Sequence, residues 1–225
     1  MKGPLIVAID GPSGAGKSTV ARALAARLGV SYIDTGAMYR AIGLAARERG
    51  IRLPIADPDA VARIAESVCL GIELAPGGTR VSIDGRDVSE AIRQPEISLY
   101  ASAVSAIPAV RRRLLGEQQR LGRSGGGVME GRDIGTIVFP ETPFKFFLTA
   151  SAAVRAERRA QELAARGTPQ PGEDVLAEME RRDREDSTRA ESPPTLDDRY
   201  VVIDSSGRAV DDIVAEMERL IRAAG

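Results

Sequence analysis

The 225-residue chain has no histidine, no tryptophan, no asparagine and a single cysteine, Cys69. Without an imidazole there is no Ser-His-Asp or Cys-His triad, no histidine general base and no HExxH zinc site. One cysteine makes neither an internal disulfide nor a cysteine-rich metal site. Lysine is almost missing too: Lys2, Lys17 and Lys145 are the only three, and arginine supplies every other positive charge. A net charge of −1 leaves no basic excess for general binding to nucleic acid. No apolar run approaches the roughly 18 residues of a membrane span, and Leu5 to Ile9 is too short for a secretory leader. A cytoplasmic protein with no membrane and no nucleic-acid partner is expected, its chemistry resting on carboxylates, hydroxyls, Lys, Arg and backbone amides. The missing Asn suits a GC-rich genome or adaptation to heat.

A content of 43% hydrophobic and 28% charged residues is that of an ordinary soluble globule. The length suits one domain with an embellishment. Leu5 to Ile9 is a continuous apolar run, as in a strand buried on both faces of a parallel sheet, and it ends at Asp10-Gly11. A glycine-rich turn leads to a helical pattern with Val20, Leu24 and Leu28 on one face and Gly29 as its stop. A short strand at Ser31 to Asp34 follows, then helices from about Ala37 to Arg49 and from Pro58 to about Cys69. Between Gly71 and Asp87 the pattern alternates around Pro76-Gly77-Gly78, as in a small antiparallel insert. Helices are expected at Glu96 to Ala106 and Pro108 to Leu121, with short strands at Val128 to Glu130 and Phe144 to Leu148. Two charged helices, Ala152 to Arg166 and Asp174 to about Ala190, flank a Gly-Pro-rich loop. A buried strand at Tyr200 to Ile203 and a helix with Ile213, Met217, Leu220 and Ile221 inward close the chain. Alternating strands and helices predict an α/β parallel sheet with helices on both faces.

Gly11-Pro12-Ser13-Gly14-Ala15-Gly16-Lys17-Ser18 matches G-x-x-x-x-G-K-[ST] and lies between a buried strand and a helix, the context that a P-loop requires. Its amides, together with Thr19, would curl around a β-phosphate, Lys17 would bridge to the γ-phosphate, and the Ser18 hydroxyl would ligate Mg2+. The glycine spacing does not meet the dinucleotide fingerprint. A chain without Asn cannot carry the N-K-x-D guanine motif. A small-molecule kinase needs a second anion site and a lid that excludes water. Three candidates for that site follow strands or share a helix face: Asp34 to Arg40, Glu130 to Thr136, and Arg182, Asp186 and Arg189 at i, i+4 and i+7.

The P-loop G-P-S-G-A-G-K-S, then D-T-G-A-M-Y-R, V-S-E-A-I-R, A-S-A-V-S-A-I-P-A-V-R, G-R-D-I-G-T-I-V-F-P and R-R-D-x-x-D-S-T-R occur in that order from Gly11 to Arg189. This series resembles bacterial cytidylate kinases. The resemblance implies Mg2+-dependent transfer of the ATP γ-phosphoryl group to CMP or dCMP, on a P-loop NTPase three-layer fold. That fold has a five-stranded parallel sheet, a small antiparallel insert and a helical lid. The ranges implied are 1–60 for the P-loop core with the start of the monophosphate region, 61–105 for the insert, 106–150 for core, 151–190 for the lid and 191–225 for the closing strand and helix.

The resemblance also implies residue roles. It gives the CMP phosphate to Thr35, Arg40, Arg132 and Arg189, and the cytosine to Ser102, Arg111 and Asp133, with Tyr39 packing beside it. Arg182 and Asp186 would reach the sugar. Lys17, Arg132 and Arg189 are expected to carry catalysis together with a lid arginine, for which Arg158 and Arg159, at the start of the two charged helices, are candidates by position. The family often has Ser where this chain has Thr35, which keeps the hydroxyl. Asp84-Gly85-Arg86-Asp87 copies the G-R-D triplet of the later block, but D-G is a hairpin signal and the copy is expected to be structural. ATP and CMP or dCMP are the expected partners, and the chain is expected to act as a monomer. Rival readings are a P-loop kinase for UMP, AMP or shikimate, and a nucleotide-dependent RNA-binding module suggested by Arg111-Arg112-Arg113.

Overall fold

A computed structural model describes residues 3–75, 78–187 and 197–223. The elements are β1 (Ile6–Asp10), α1 (Lys17–Leu28), β2 (Tyr32–Asp34), α2 (Thr35–Glu48), α3 (Pro58–Ser67), β3 (Leu70–Ala75), β4 (Gly78–Ile83) and β5 (Arg86–Asp87). They continue with α4 (Pro95–Ser105), α5 (Pro108–Gly125), β6 (Gly127–Gly131), β7 (Phe144–Thr149), α6 (Ala152–Ala165), α7 (Gly172–Ser187), β8 (Tyr200–Asp204) and α8 (Val210–Ala223). A five-stranded parallel sheet has the order β2-β6-β1-β7-β8, and a three-stranded sheet has the order β3-β4-β5. The chain divides into two compact units, one built on Ser31–Gly126 and the other on Leu5–Val30 with Gly127–Gly225. Among the described residues no helix is long and apolar enough to cross a membrane.

In the second unit β1 is the inner strand, with Ile6 opposite Gly127 of β6 and Val7 opposite Phe144 of β7. All five residues of β1 are buried, which is why it reads as an unbroken apolar run. Helix α1 turns Val20, Ala21, Leu24 and Ala25 inward and ends on Gly29, whose left-handed φ of 67° suits a residue without Cβ. Helix α8 packs against α1 and buries Ile213, Val214, Met217 and Ile221, with an Arg27–Glu218 ion pair of 2.7 Å between the two helices. Val214 takes the place expected for Leu220, which is only half-buried. Helices α6 and α7 meet through Ala156, Leu163, Val175 and Met179.

The expectation of a buried closing strand is corrected. β8 is the sheet's outer strand, so Val201 and Val202 stay 38% and 56% exposed while Ile203 faces the core. Continuous apolar runs do not separate an edge strand from a central one.

In the first unit the insert is an antiparallel hairpin with Leu70 opposite Ile83, extended by the short strand β5. Asp84 and Gly85, at φ 51° and 83°, make the turn between β4 and β5, so that this D-G is a hairpin as expected. Asp57 and Asp34 cap α3 and α2 by accepting from Ala60 N and Ala37 N.

Leu24 is fully buried, so Leu24→Ala is expected to cost about 3 kcal/mol of stability, whereas Val202→Ala at the exposed edge should change it by less than about 0.5 kcal/mol. Urea midpoints of the two variants check the contrast.

Candidate active site

The chain leaves β1 at Asp10 and makes a loop that only glycine permits at three places: φ is 147° at Gly11, 76° at Gly14 and 88° at Gly16. A Cβ on Gly11 would sit 2.0 Å from the Leu148 carbonyl oxygen, and one on Gly14 within 3.0 Å of Arg155 and Met179. Gly16 is the N-cap of α1, so the loop opens straight into a helix N-terminus.

Four consecutive carbonyls of the loop, Pro12 to Ala15, accept hydrogen bonds from side chains. Lys17 Nζ donates to Pro12 O at 2.7 Å and Arg155 Nη1 to Ser13 O at 3.2 Å. Arg158 Nη1 donates to Gly14 O at 3.4 Å, and Ser205 Oγ to Ala15 O at 2.9 Å. Arg158 also holds Ser205 through Oγ at 3.0 Å and the carbonyl at 2.9 Å. Arg155 is buried and bonds Ala150 O and Asp183 Oδ2, the latter at 2.7 Å on α7. Ser18 and Thr19 lie exposed on the first turn of α1. A hydroxyl so placed beside the loop is fit for Mg2+, which keeps several waters and takes phosphate oxygens as further ligands.

Asp10 is buried and accepts three hydrogen bonds, from Ile134 N at 2.9 Å, Gly135 N at 2.9 Å and Tyr200 Oη at 2.7 Å. Burial pushes its carboxyl above the usual carboxylate range; the two amides and the phenol pull the other way, and Asp133 adds to the rise. Ile134 to Val138 form a π-helical turn directly after Arg132 and Asp133. Such turns recur at functional sites, and hydropathy periodicity does not show them. Asp133 is buried, and Arg132 Nη1 donates to Gly131 O at 3.3 Å.

In the first unit the β2–α2 junction carries Thr35, buried, and Arg40, whose Nη2 meets Asp34 Oδ2 at 2.7 Å. Arg40 Nε is buried with no hydrogen-bond partner, a donor left over for an anion. A Cβ at Gly36 would press on Arg40 Nη1 at 3.1 Å, so this glycine lets the guanidinium lie back over the helix start. Thr79 of the insert braces the same junction, accepting from Asp34 N at 3.4 Å. Arg111 of α5 lies 6.0 Å over the Tyr39 ring and bonds Ser105 O at 3.4 Å, while Ser105 Oγ bonds Ser102 O at 2.7 Å. Tyr39, Ser102 and Arg111 are thus brought into one corner.

A sequence model of the cytidylate kinase family matches residues 7–223. The chain belongs to the cytidylate kinase family. It is 46% identical over 219 residues to the cytidylate kinase of Symbiobacterium thermophilum, covering 97% of this chain and 96% of that one. It is 48% identical over 214 residues to that of Rhodococcus opacus, covering 95% and 93%. A bifunctional pantoate ligase/cytidylate kinase of Synechococcus is 44% identical over 98% of this chain, but the chain spans only 42% of that protein's length. Among solved structures, an uncharacterized protein from Eubacterium ventriosum has a TM-score of 0.53 at 14% identity, covering 97% of this chain and 98% of that one, a likeness of fold.

Against the residues expected of this family, the loop Gly11 to Lys17 and Arg158 come together in one unit, joined through Asp10 to the turn that follows Arg132 and Asp133. Arg159 instead pairs with Glu162 at 3.1 Å on the surface of α6. Arg189 and the side chains of Arg182 and Asp186 lie outside the described residues. Two residues bound to this region escaped the sequence reading: Asp10 and Arg155. Asp10 was signalled only as a lone carboxylate ending an apolar strand. Arg155 is three residues before Arg158 on the same helix face, a signal drowned by the many arginines.

Gly11→Ala places a methyl against a backbone oxygen and adds ~1–3 kcal/mol of backbone strain. It is expected to lower the affinity for a nonhydrolysable ATP analogue by at least about tenfold, as measured by titration calorimetry.

Proposed function

We propose that the chain is a cytidylate kinase, which transfers the γ-phosphoryl group of ATP to CMP or dCMP and releases ADP and CDP or dCDP. What supports this reading is the formed phosphate loop on a chain that matches the family over residues 7–223. Lys17, its ammonium already at the loop's rim on Pro12 O, neutralises the transferring group, and Arg158 and Arg189 assist from the lid region, residues 151–190. Thr35, Arg40 and Arg132 take the acceptor phosphate, and Ser102, Arg111 and Asp133 take the cytosine edge, with Tyr39 packed against Arg111. Arg182 and Asp186 are assigned to the sugar. Ser18 would hold Mg2+ together with the nucleotide phosphates, and the metal would supply charge neutralisation for the phosphoryl oxygens.

The reaction asks for no general base. A CMP phosphate oxygen is already anionic near neutral pH, so the protein's task is alignment and charge. Cytosine offers a 4-amino donor with N3 and O2 as acceptors, which suits one carboxylate with Arg and Ser donors. UMP would set a carbonyl against the Asp133 carboxylate, a mismatch that a tight site punishes by up to about 10⁴-fold. We assign the protein to the cytosol, acting as a monomer on small nucleotides.

ADP release measured with CMP, dCMP, UMP and AMP as acceptors tests the reading: CMP and dCMP should be turned over, with UMP and AMP at least about 10²-fold poorer in kcat/KM. Turnover of AMP or UMP in preference to CMP would overturn it. Lys17→Ala should cost about 10³-fold in kcat, and Asp133→Asn, which offers UMP a donor, should narrow the CMP:UMP ratio by about tenfold or more.

A further inference from the structure

Resting on the acceptor-site reading of Arg132 and Asp133, we propose that Asp10 is a positioning residue: its carboxylate holds the turn that carries those two side chains in fixed register with the phosphate loop.

Asp10 closes a strand whose other residues are all apolar, and it is 1% exposed. A carboxylate in such a place is costly unless donors meet it. Three do, and two of them are backbone amides of a single turn. Ile134 and Gly135 open the π-helical turn, so their amides are first-turn donors with no partner inside their own turn. Asp10 supplies both acceptors from 124 and 125 residues away in sequence, capping the turn in trans. Backbone two residues after Arg132 is thereby fastened to the residue immediately before Gly11. A Cβ on Gly11 would stand 2.0 Å from Leu148 O, so the loop leaves β1 close against the backbone of β7. One side chain therefore couples the geometry of the two halves of the site.

The carboxylate is itself held. Tyr200 of β8 reaches Oδ2 because Gly135 leaves it room: a Cβ there would stand 2.6 Å from the Tyr200 hydroxyl oxygen and 3.1 Å from Lys145 Cδ. Lys145 of β7 is buried, with its ammonium 5.7 Å over the Tyr200 ring and 2.9 Å from Asp197 Oδ2. Phe147 meets the same ring edge-on. Burial and the Asp10 charge push the phenol up, so it remains a donor. Asp133, Tyr200, and beyond the ring Lys145 and Asp197, are the titratable groups facing Asp10. The three hydrogen bonds that Asp10 accepts all come from the protein itself, so it acts through the turn that it holds.

Asp10→Asn keeps the volume, but in either orientation its amide nitrogen faces a backbone amide, Ile134 N or Gly135 N, as donor against donor. It is expected to raise the KM for CMP by about tenfold and to lower kcat by up to about 10²-fold. The dissociation constant of a nonhydrolysable ATP analogue should stay within about threefold, since the loop's own contacts persist. Tyr200→Phe, which removes one donor and no carboxylate oxygen, is the milder variant if Asp10→Asn does not fold, and should show the same split at about threefold. A purely structural role would lower the melting temperature and the active fraction while leaving both constants of the active enzyme unchanged. That outcome, or CMP kinetics within twofold of wild type for both variants, overturns the inference. Arg132→Ala separates the two levels: if it keeps CMP affinity, the acceptor-site reading falls and this inference with it; if it loses CMP while the Asp10 and Tyr200 variants keep it, the inference alone falls.

Discussion

Four consecutive carbonyls of the phosphate loop, Pro12 to Ala15, are each tied to a side-chain donor from the same unit, and the rest of the site depends on that binding from behind. In a trans peptide the carbonyl of one residue and the amide of the next point opposite ways. Fixing the carbonyls of Ser13, Gly14 and Ala15 therefore sends the amides of Gly14, Ala15 and Gly16 to the other side, where an anion is expected, while Lys17 holds Pro12 O at the rim. Three of the four donors carry positive charge. A cation at the carbonyl end polarises the peptide and strengthens the amide at its other end. The arginines of α6 thus contribute to the loop before any lid movement is invoked, and the Arg155–Asp183 pair extends that grip to α7.

The composition makes more sense in this light. Lys17 and Lys145 are both buried, while arginine populates the surface ion pairs. An ammonium is a compact charge on a flexible stem, whereas a guanidinium is a planar fork, and both kinds are used here, since Arg155 is buried beside the same loop. Lys17 occupies the rim of the phosphate loop and Lys145 the space above the Tyr200 ring. The missing imidazole agrees with chemistry in which the nucleophile arrives already charged.

Much of this was legible in the chain itself because the signals are local. The unbroken run before Gly11, the glycine spacing, Gly29 as a stop and the D-G turn at Asp84 each reflect a short-range preference, and each element formed where it was expected. What stayed hidden was long-range. The exposure of Val202 depends on which strand ends up outermost. The π-helical turn at Ile134 forms with its opening amides on Asp10, a partner far away in sequence. Arg155 and Arg159 differ by one turn of helix, yet one is buried against the loop and the other pairs on the surface, a distinction that spacing alone cannot draw.

β8 is a five-residue strand at the edge of the sheet, with a neighbour on one side only. Edge segments open more readily than inner ones, in local fluctuations well below the cost of global unfolding. Tyr200, the prop under Asp10, begins that strand, and Ser205, which bonds the loop at Ala15, follows it. One of the sheet's two edge strands, with the residue just after it, therefore carries two struts of its most demanding geometry. Local opening of this edge would withdraw both struts at once, so the Asp10 carboxylate and the Ala15 end of the loop share one point of weakness.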